Sequence, residues 1–376
     1  MEEYCRASRV EKTAILNQLI AVTHLHRKAL IRRLSALRLG REPALKRRGR
    51  KEVYNMRVTG ALKEVWETAN EICAERLHPV IAEYVSVLKR DRMWTHDEPA
   101  TELLLAASLG TVKNRIAKFV RIKSSGGGRG TTKPSNLKEL IPIRRGPWDN
   151  PKPGKGEVDT VAHCGSSIAG DYAFTVQYTD VATIWTCLSG QWNKGQEATK
   201  QSIERIKARL PFNLLGLDPD SGGEFINWNL KDWCDRQTPP VEMSRIRPYY
   251  KNDHARIEQK QYVNVRQFLG YTRIENPAVI PLMNQLDDAL EDYINFFLPS
   301  VKCLAKERTG SKYKRRYDPA QTAYRRVLAH PDIPQQVKIR LQAKYATLNP
   351  RILKERIMKL TRKIFSQAKP DFGNTF

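Results

Sequence analysis

Three carboxylates stand in surroundings that suit them to metal chemistry. Asp159 lies in the apolar run EVDTVAHCG, Asp220 in GLDPDSGGEF, and Glu258 within RPYYKNDHARIEQKQYVNVRQFLG. Carboxylate oxygens are hard ligands for Mg²⁺, which keeps several waters and takes up phosphate oxygens, so three such groups suffice. Two Mg²⁺ ions roughly 3.5–4 Å apart can activate a water and stabilise both the entering and the leaving oxygen of a phosphodiester displacement. Taken singly, each acid has a plainer reading: Asp159 as a strand-edge charge, Asp220 as a turn residue or helix N-cap, Glu258 on one face of a surface helix. Asp218 competes with Asp220, because alternate residues of a strand face the same way. Gly222 and Gly223 decide for Asp220, since glycines let the backbone approach a phosphate and start a helix. Glu224 reads as an acid at the N-terminus of that helix, favoured by its dipole, rather than as a further ligand.

The elements that must position these acids follow from periodicity. EVDTVAHCG, YAFTVQYTD and ATIWTCL are three β-rich runs with short connections. EATKQSIERIKARL has helical spacing, LLGLD reads as a buried strand, EFINWNLKDWCDRQ as a helix, VEMSR as a short strand and ARIEQKQYVNVRQFL as a helix. That order is the order of a ribonuclease-H-like α/β domain, with a mixed five-stranded sheet and helices. In it Asp159 falls on the first strand, Asp220 just beyond the fourth and Glu258 on the last helix, so one topology gives three distant acids a common centre.

Composition says what would come to such a centre. The chain has 376 residues, enough for several domains, with 40% hydrophobic and 8% aromatic residues, as in a globular protein. Lys and Arg number 65 against 40 Asp and Glu, a formal net charge of +25. A field of that size attracts polyanions, of which nucleic acid is the commonest. A membrane surface would require an amphipathic anchor or lipidation signal, and neither is found. No stretch has the length of an apolar span, and MEEYCRASRVEK has no signal-peptide core, so a cytoplasmic protein is expected. The six cysteines lack any Cys-x-x-Cys spacing and read as reduced thiols, and His24 and His26 have no downstream cysteine pair to make a zinc site.

Ahead of the α/β region, residues 11–39 read as two helices around a break at Val22-Thr23. A helix-turn-helix and an ordinary helical hairpin with a solvated basic face fit this pattern equally. In the first reading Arg27, Lys28, Arg32 and Arg33 face DNA. KRRGRK follows, and Lys46, Arg47, Arg48 and Arg50 suit an extended arm along a phosphate backbone or in a minor groove. A helical block from Gly60 to Lys89 is split or kinked at Pro79. ATELLLAA, a turn at Ser108-Leu109-Gly110 and TVKNRIAKFVRIK then form the better helix-turn-helix candidate, with Thr111 as N-cap and Lys113, Asn114 and Arg115 presented outward. The Gly, Ser and Pro content of residues 124–153 marks a linker. After Asn276 the chain turns helical, apart from the basic segment KERTGSKYKRRYD, where Lys312, Lys314, Arg315 and Arg316 alternate with Tyr313 and Tyr317 as on a nucleic-acid surface. The expected divisions are a helix-turn-helix and basic arm at 1–58, a second helical DNA-binding domain at 59–123, the linker at 124–153, the α/β core at 154–276, and a helical and basic C-terminal region at 277–376.

Joined together, VDTVAHCG, YTDVATIW, LPFNLLGLDPDSGGEFIN, SRIRPYYKNDHARIEQKQYVNVRQFLGYTR and NFFLPSVKCLAKERTGSKYKRRYD resemble the bacterial DDE transposases of insertion sequences, whose core is of the retroviral-integrase type. The resemblance covers most of the chain. It implies Asp159, Asp220 and Glu258 as catalytic metal ligands for two Mg²⁺ ions, with Mn²⁺ substituting. It further implies double-stranded DNA partners, namely terminal repeats and target, a homo-oligomer holding both ends, a place on the bacterial nucleoid, and activity with or without an accessory ATPase. Lys260 is not one helical turn from Glu258 and reads as a DNA contact, and Arg247, Lys251 and Asn252 line the same groove. Two departures stand out. The usual Asp-Asn-Gly-x-Glu-Phe motif has Ser221 in place of asparagine, and Ile184 occupies a hairpin position where the group often has glycine. The rival readings are a non-catalytic, domesticated DNA-binding protein and a structure-specific nuclease of the same fold.

Overall fold

Every residue of the strand Ala173–Asp180 (β2) is buried, which demands neighbours on both edges and cover on both faces. On one edge lies Lys155–Ala162 (β1), on the other Thr186–Trp192 (β3), both antiparallel to β2. Gly216–Pro219 (β4) runs parallel to β1, and Glu242–Met243 (β5) runs parallel to β4. The result is a five-stranded mixed sheet in the order β3-β2-β1-β4-β5, with β1 at its centre. The computed structural model describes residues 2–23, 25–39, 53–119, 152–219, 222–244, 262–309 and 312–368. They divide into two compact units, Met1–Asn55 and Met56–Phe376.

In the first unit, helix α1 (Glu2–Arg6) precedes α2 (Arg9–Thr23) and α3 (Arg27–Arg38). Ser8 and Glu11 start α2 as a capping box: the Ser8 N–H donates to Glu11 Oε2 at 2.7 Å and the Glu11 N–H to Ser8 Oγ at 3.4 Å. Leu16 and Leu30 are the buried apolar residues of the pair.

The second unit begins with α4 (Met56–Thr68), α5 (Ala74–Leu77), α6 (Ile81–Arg90), α7 (Glu98–Leu105) and α8 (Leu109–Phe119). Pro79 sits in the 3₁₀ turn between α5 and α6, where its missing N–H costs least. The start of α8 differs from expectation. Ser108, not Thr111, is the cap: its Oγ accepts the Thr111 N–H at 3.3 Å, so the first turn begins at Leu109 and contains Gly110.

The third strand also starts later than its β-propensity suggests, because Asp180 imposes a turn. Its Oδ1 accepts the Thr183 N–H at 2.7 Å and hydroxyl at 2.6 Å, while its Oδ2 accepts the Gly154 N–H at 2.7 Å. Ile184 is held in this turn at φ 63°. Burial pushes the Asp180 carboxyl up to about 6, against the pull of those hydrogen bonds.

Helix α9 (Gln196–Arg209) follows β3, and α10 (Trp228–Asp235) follows β4. A π-helical turn at Tyr262–Arg266 runs into α11 (Gln267–Leu269). Next come α12 (Ile280–Phe297), α13 (Ala323–Ala329), α14 (Gln335–Thr347) and α15 (Pro350–Gln367). α9 and α12 cover opposite faces of the sheet. Gln191 Nε2 donates to Thr199 Oγ1 of α9 at 3.1 Å, whereas a Cβ on neighbouring Gly190 would lie 2.9 Å from Met283 Cβ of α12. Leu353, Ile357, Leu360 and Ile364 line the buried side of α15, which packs on α12. Within the second unit α4 and α6 join this core: Tyr84 Oη donates to Phe297 O at 3.3 Å and Tyr293 Oη to Thr68 O.

The basic segment after α12, to which the sequence pattern assigned no secondary structure, is a β-hairpin. Cys303–Thr309 (β6) pairs antiparallel with Lys312–Tyr317 (β7) as a separate two-stranded sheet. Among the described residues, no helix is long and apolar enough to cross a membrane.

Candidate functional site

Asp159 sits in the middle strand, opposite Gln177 of β2, and is half-buried. Its Oδ1 accepts the Thr160 N–H at 2.7 Å, which fixes the orientation of the carboxylate. On the other side of β1 the parallel register with β4 runs Glu157 to Asp218 and then Val158 to Pro219, where β4 ends. β4 thus stops one position short of the level of Asp159, and the next residue in sequence is Asp220. Asp220, Ser221, Glu258, Arg247, Lys251, Asn252 and Lys260 lie outside the described residues. Asp218 is buried and accepts the Ser244 hydroxyl at 2.7 Å, a bond that ties β4 to the segment after β5.

The described end of the helix expected to carry Glu258 docks on β1. Arg266 Nη2 donates to Ala162 O at 2.7 Å, at the carboxyl end of that strand. Burial, followed by the Arg266 charge, pushes neighbouring His163 down to about 3, so the ring is neutral, with Nε2 2.9 Å from Thr175 Oγ1. Arg273 braces the following loop by donating to Cys164 O at 3.1 Å and Ser167 O at 2.7 Å.

Glu224 is not the helix-terminal acid that its position in the motif suggests. Helix α10 starts at Trp228 and takes its cap from Asn227, whose Oδ1 accepts the Leu230 N–H at 2.9 Å. Glu224 instead is buried, 2.5 Å from Lys194 Nζ, with its Oε1 accepting the Thr160 hydroxyl at 3.3 Å. A Cβ on Gly222 would fall 2.5 Å from Glu224 Oε2, so glycine there makes room for the carboxylate to fold back. Thr160 therefore holds Asp159 through its amide and Glu224 through its hydroxyl. Lys194 stands in the turn between β3 and α9, shaped by Asn193 at φ 55°, whose Oδ1 accepts the Gly195 N–H at 2.9 Å. Sequence reasoning missed Lys194. Its only local signal is the Asn-Lys-Gly turn, and nothing there points to a carboxylate 30 residues away.

β1, β3 and β4 all run in one direction, so Lys194 and Glu224 both follow carboxyl ends of strands. Crevices at such ends are where open α/β sheets bind ligands. The hard oxygen donors predicted for Mg²⁺ suit that ion, and the oriented carboxylate of Asp159 is consistent with a ligand. Among the described residues no three His, Cys, Asp or Glu side chains gather as a metal site, and of the three predicted ligands only Asp159 is described.

The expected DNA contacts are placed unevenly. Lys28, Arg32 and Arg33 of α3 are exposed. Arg27 turns back to α2, with Nη1 on Asn17 Oδ1 at 2.9 Å and Nη2 on Thr13 Oγ1 at 3.4 Å. On α8, Lys113 pairs with Glu75 at 2.7 Å and Arg115 donates to Thr59 Oγ1, while Asn114 is exposed. Lys314, Arg315 and Arg316 of β7 are exposed, and Lys312 pairs in register with Thr309. Lys46, Arg47, Arg48 and Arg50 lie outside the described residues.

Fold and site together define an α/β protein with a mixed five-stranded sheet and an oriented aspartate on its central strand. Over 321 residues the chain is 33% identical to the uncharacterized protein y4rM of Sinorhizobium fredii, an alignment covering 85% of this chain and 90% of that one. The chain belongs to the same family as that protein. No family model matches the chain.

Proposed function

We propose that the protein is a DNA transposase of the DDE type, with a ribonuclease-H-like core and Asp159, Asp220 and Glu258 as its catalytic acids. The observation that carries this reading is the register of β1 and β4. It ends at Val158 and Pro219, so Asp220 follows immediately from a strand that has reached the neighbourhood of Asp159. The antiparallel β1-β2-β3 unit joined through β1 to parallel β4 and β5 supports the ribonuclease-H-like topology. The docking of Arg266 on Ala162 supports a last helix that runs beside β1. The left-handed backbone at Ile184 supports the resemblance too, since it explains why related hairpins use glycine there.

Mg²⁺ held by Asp159, Asp220 and Glu258, or Mn²⁺ in its place, would supply water activation and charge stabilisation in phosphodiester displacement. Thr160 and the Lys194–Glu224 pair orient the protein side of this centre. Water displaces the 3′-oxygen at an element end, leaving a 3′-hydroxyl. That hydroxyl then attacks a target phosphodiester, breaking one P–O bond for each one formed. The helix pairs α2–α3 and α7–α8, read as helix-turn-helix modules, bring the terminal repeats. Because Lys113 and Arg115 are engaged within the protein, α3 and the β6–β7 hairpin carry more of the DNA contact than α8.

Asp159→Ala tests the reading. It is expected to bind terminal-repeat DNA as the wild type does and to lose both nicking and strand transfer in Mg²⁺ and in Mn²⁺. Nicking at wild-type rate by this variant would overturn the assignment, and an unmutated protein that binds terminal-repeat DNA but nicks it under no divalent ion would favour the non-catalytic reading.

A further inference from the structure

The β6–β7 hairpin is built as a ribbon with a firm stem and a solvated body. At the stem, Asp318 Oδ1 accepts the Lys302 N–H at 2.5 Å, and its other oxygen pairs with Arg326. Both of these side chains are nearly buried, at 11% and 7% exposure, and Arg326 Nη2 also donates to Ser300 O at 2.9 Å. Ser300 and Gln321 bridge the two chain ends through reciprocal backbone bonds of 3.0 and 3.1 Å. Beyond that stem the body has little cover: Leu304, Glu307 and all of Lys314 to Tyr317 are exposed. A two-stranded ribbon whose described side chains are this exposed is marginal in water, so its sequence is shaped by something other than a core.

The charge pattern indicates what that is. Between Cys303 and Tyr317 the ribbon carries six Lys or Arg and a single carboxylate, Glu307. Side chains alternate across a ribbon, so Lys314 and Arg316 lie on one face and Arg315, in register with Lys306, lies on the other. A hairpin lying flat on a polyanion gains from cations on one face alone. Cations on both faces fit a partner with phosphates on both sides, and the major groove of duplex DNA has the width for a two-stranded ribbon between its phosphate walls.

We infer that the β6–β7 ribbon inserts into a groove of double-stranded DNA, with Lys314 and Arg316 directed to one phosphate wall and Arg315 to the other. The inference rests on the DNA-binding part of the proposed function and is independent of the metal chemistry.

The test uses the full chain and linear duplex DNA, with affinity measured by fluorescence anisotropy across a salt series. One variant neutralises the first face, Lys314→Ala with Arg316→Ala. A second neutralises the other, Arg315→Ala with its register partner Lys306→Ala. Each phosphate contact contributes about 0.9 to the slope of log affinity against log salt, so each double variant is expected to lower that slope by about 1.8. The melting temperature of the first double variant should stay at the wild-type value, because Lys314 and Arg316 are solvated. A fall for one variant and no change for the other would overturn groove insertion in favour of flat docking. No change for either, with the wild type still binding, would overturn the inference and leave DNA binding standing. Tighter wild-type binding to single strands or anionic vesicles than to duplex would overturn it as well, and absence of any duplex binding would sink both the inference and the proposed function.

Discussion

The side-chain amide of Asn295 satisfies both backbone groups of Thr186: Nδ2 donates to Thr186 O at 2.7 Å and Oδ1 accepts the Thr186 N–H at 2.8 Å. The relation repeats along β3. Glu291 Oε1 accepts the Leu188 N–H at 2.6 Å, Asn284 Oδ1 accepts the Gly190 N–H at 3.0 Å, and Arg209 donates to Leu188 O. One side of α12 thus takes the place of a further strand on the outer edge of the sheet. An open edge strand would otherwise offer these groups to other chains.

Asn295→Leu should therefore cost far more than an ordinary side-chain replacement. It keeps a similar volume but strands two buried backbone groups, each worth about 1–3 kcal/mol when unsatisfied. A loss of about 2–5 kcal/mol in urea unfolding is expected, with aggregation on mild heating. A loss below about 1 kcal/mol would show that the backbone groups find other partners.

Asp287 lies on the same helix, fully buried, and burial followed by the neighbouring charge of Glu291 pushes its carboxyl up to about 8. Its folded pKa is raised above the unfolded value of 3.8, so between those values the folded protein binds more protons. Stability from this group is greatest at low pH and declines as pH rises through that window. Asp180, raised to about 6 by burial, adds to the decline in its lower part. His163, depressed to about 3, acts in the opposite sense, weakening the fold as pH falls below 6.5. Asp287→Asn should flatten the decline and melt higher than wild type at pH 8.5; parallel melting curves from pH 5 to 8.5 would contradict this.

At Ile184 the usual order of alanine over glycine should invert. The φ of 63° penalises any Cβ, and a β-branched one above all. Both replacements lose the buried side chain, but only glycine also relieves the backbone. Ile184→Gly is expected to be more stable than Ile184→Ala by about 0.5–1 kcal/mol. Equal stabilities, or alanine ahead, would mean that the turn relaxes on truncation.

The Lys194–Glu224 pair should behave as a coupled unit. Lys194→Met leaves a buried carboxylate without its ammonium and should cost about 1–3 kcal/mol at neutral pH, discounted because Lys194 is a third exposed. Adding Glu224→Gln, which keeps an acceptor for the Thr160 hydroxyl, should recover most of that loss. In a double-mutant cycle a coupling below about 0.5 kcal/mol would remove the pair from any positioning role. Under the proposed function, nicking by Lys194→Met should fall while terminal-repeat affinity holds.

Much of the sheet was legible because strands signal locally. The β-rich runs EVDTVAHCG, YAFTVQYTD and ATIWTCL, the apolar LLGLD, the short VEMSR and the helices between them give five strands in the observed chain order. Glu224 was misplaced because glycines, an acid and an apolar run look like a helix start. Its partner, Lys194, arrives from another strand end and leaves no trace in that pattern. The cap at Ser108 was missed for a smaller reason: serine and threonine three residues apart are both good caps, and only the helix axis chooses between them. The basic segment 303–317 was legible as a charged surface, but its hairpin was not, because a ribbon solvated on both faces lacks the polar–apolar alternation that marks a strand.

What the sequence determined by itself is the set of elements, the basic charge, and the aspartate on the first strand, since each depends on residues close together in the chain. What the tertiary structure decided is which polar groups are buried and against whom. Asn284, Glu291 and Asn295 look like the solvated side of an amphipathic helix, yet they serve the edge of β3; Lys194 looks like a turn lysine, yet it neutralises Glu224. A polar side chain is buried only where a partner offsets its desolvation, and those partners lie about 30 to 110 residues away, beyond the reach of any local pattern.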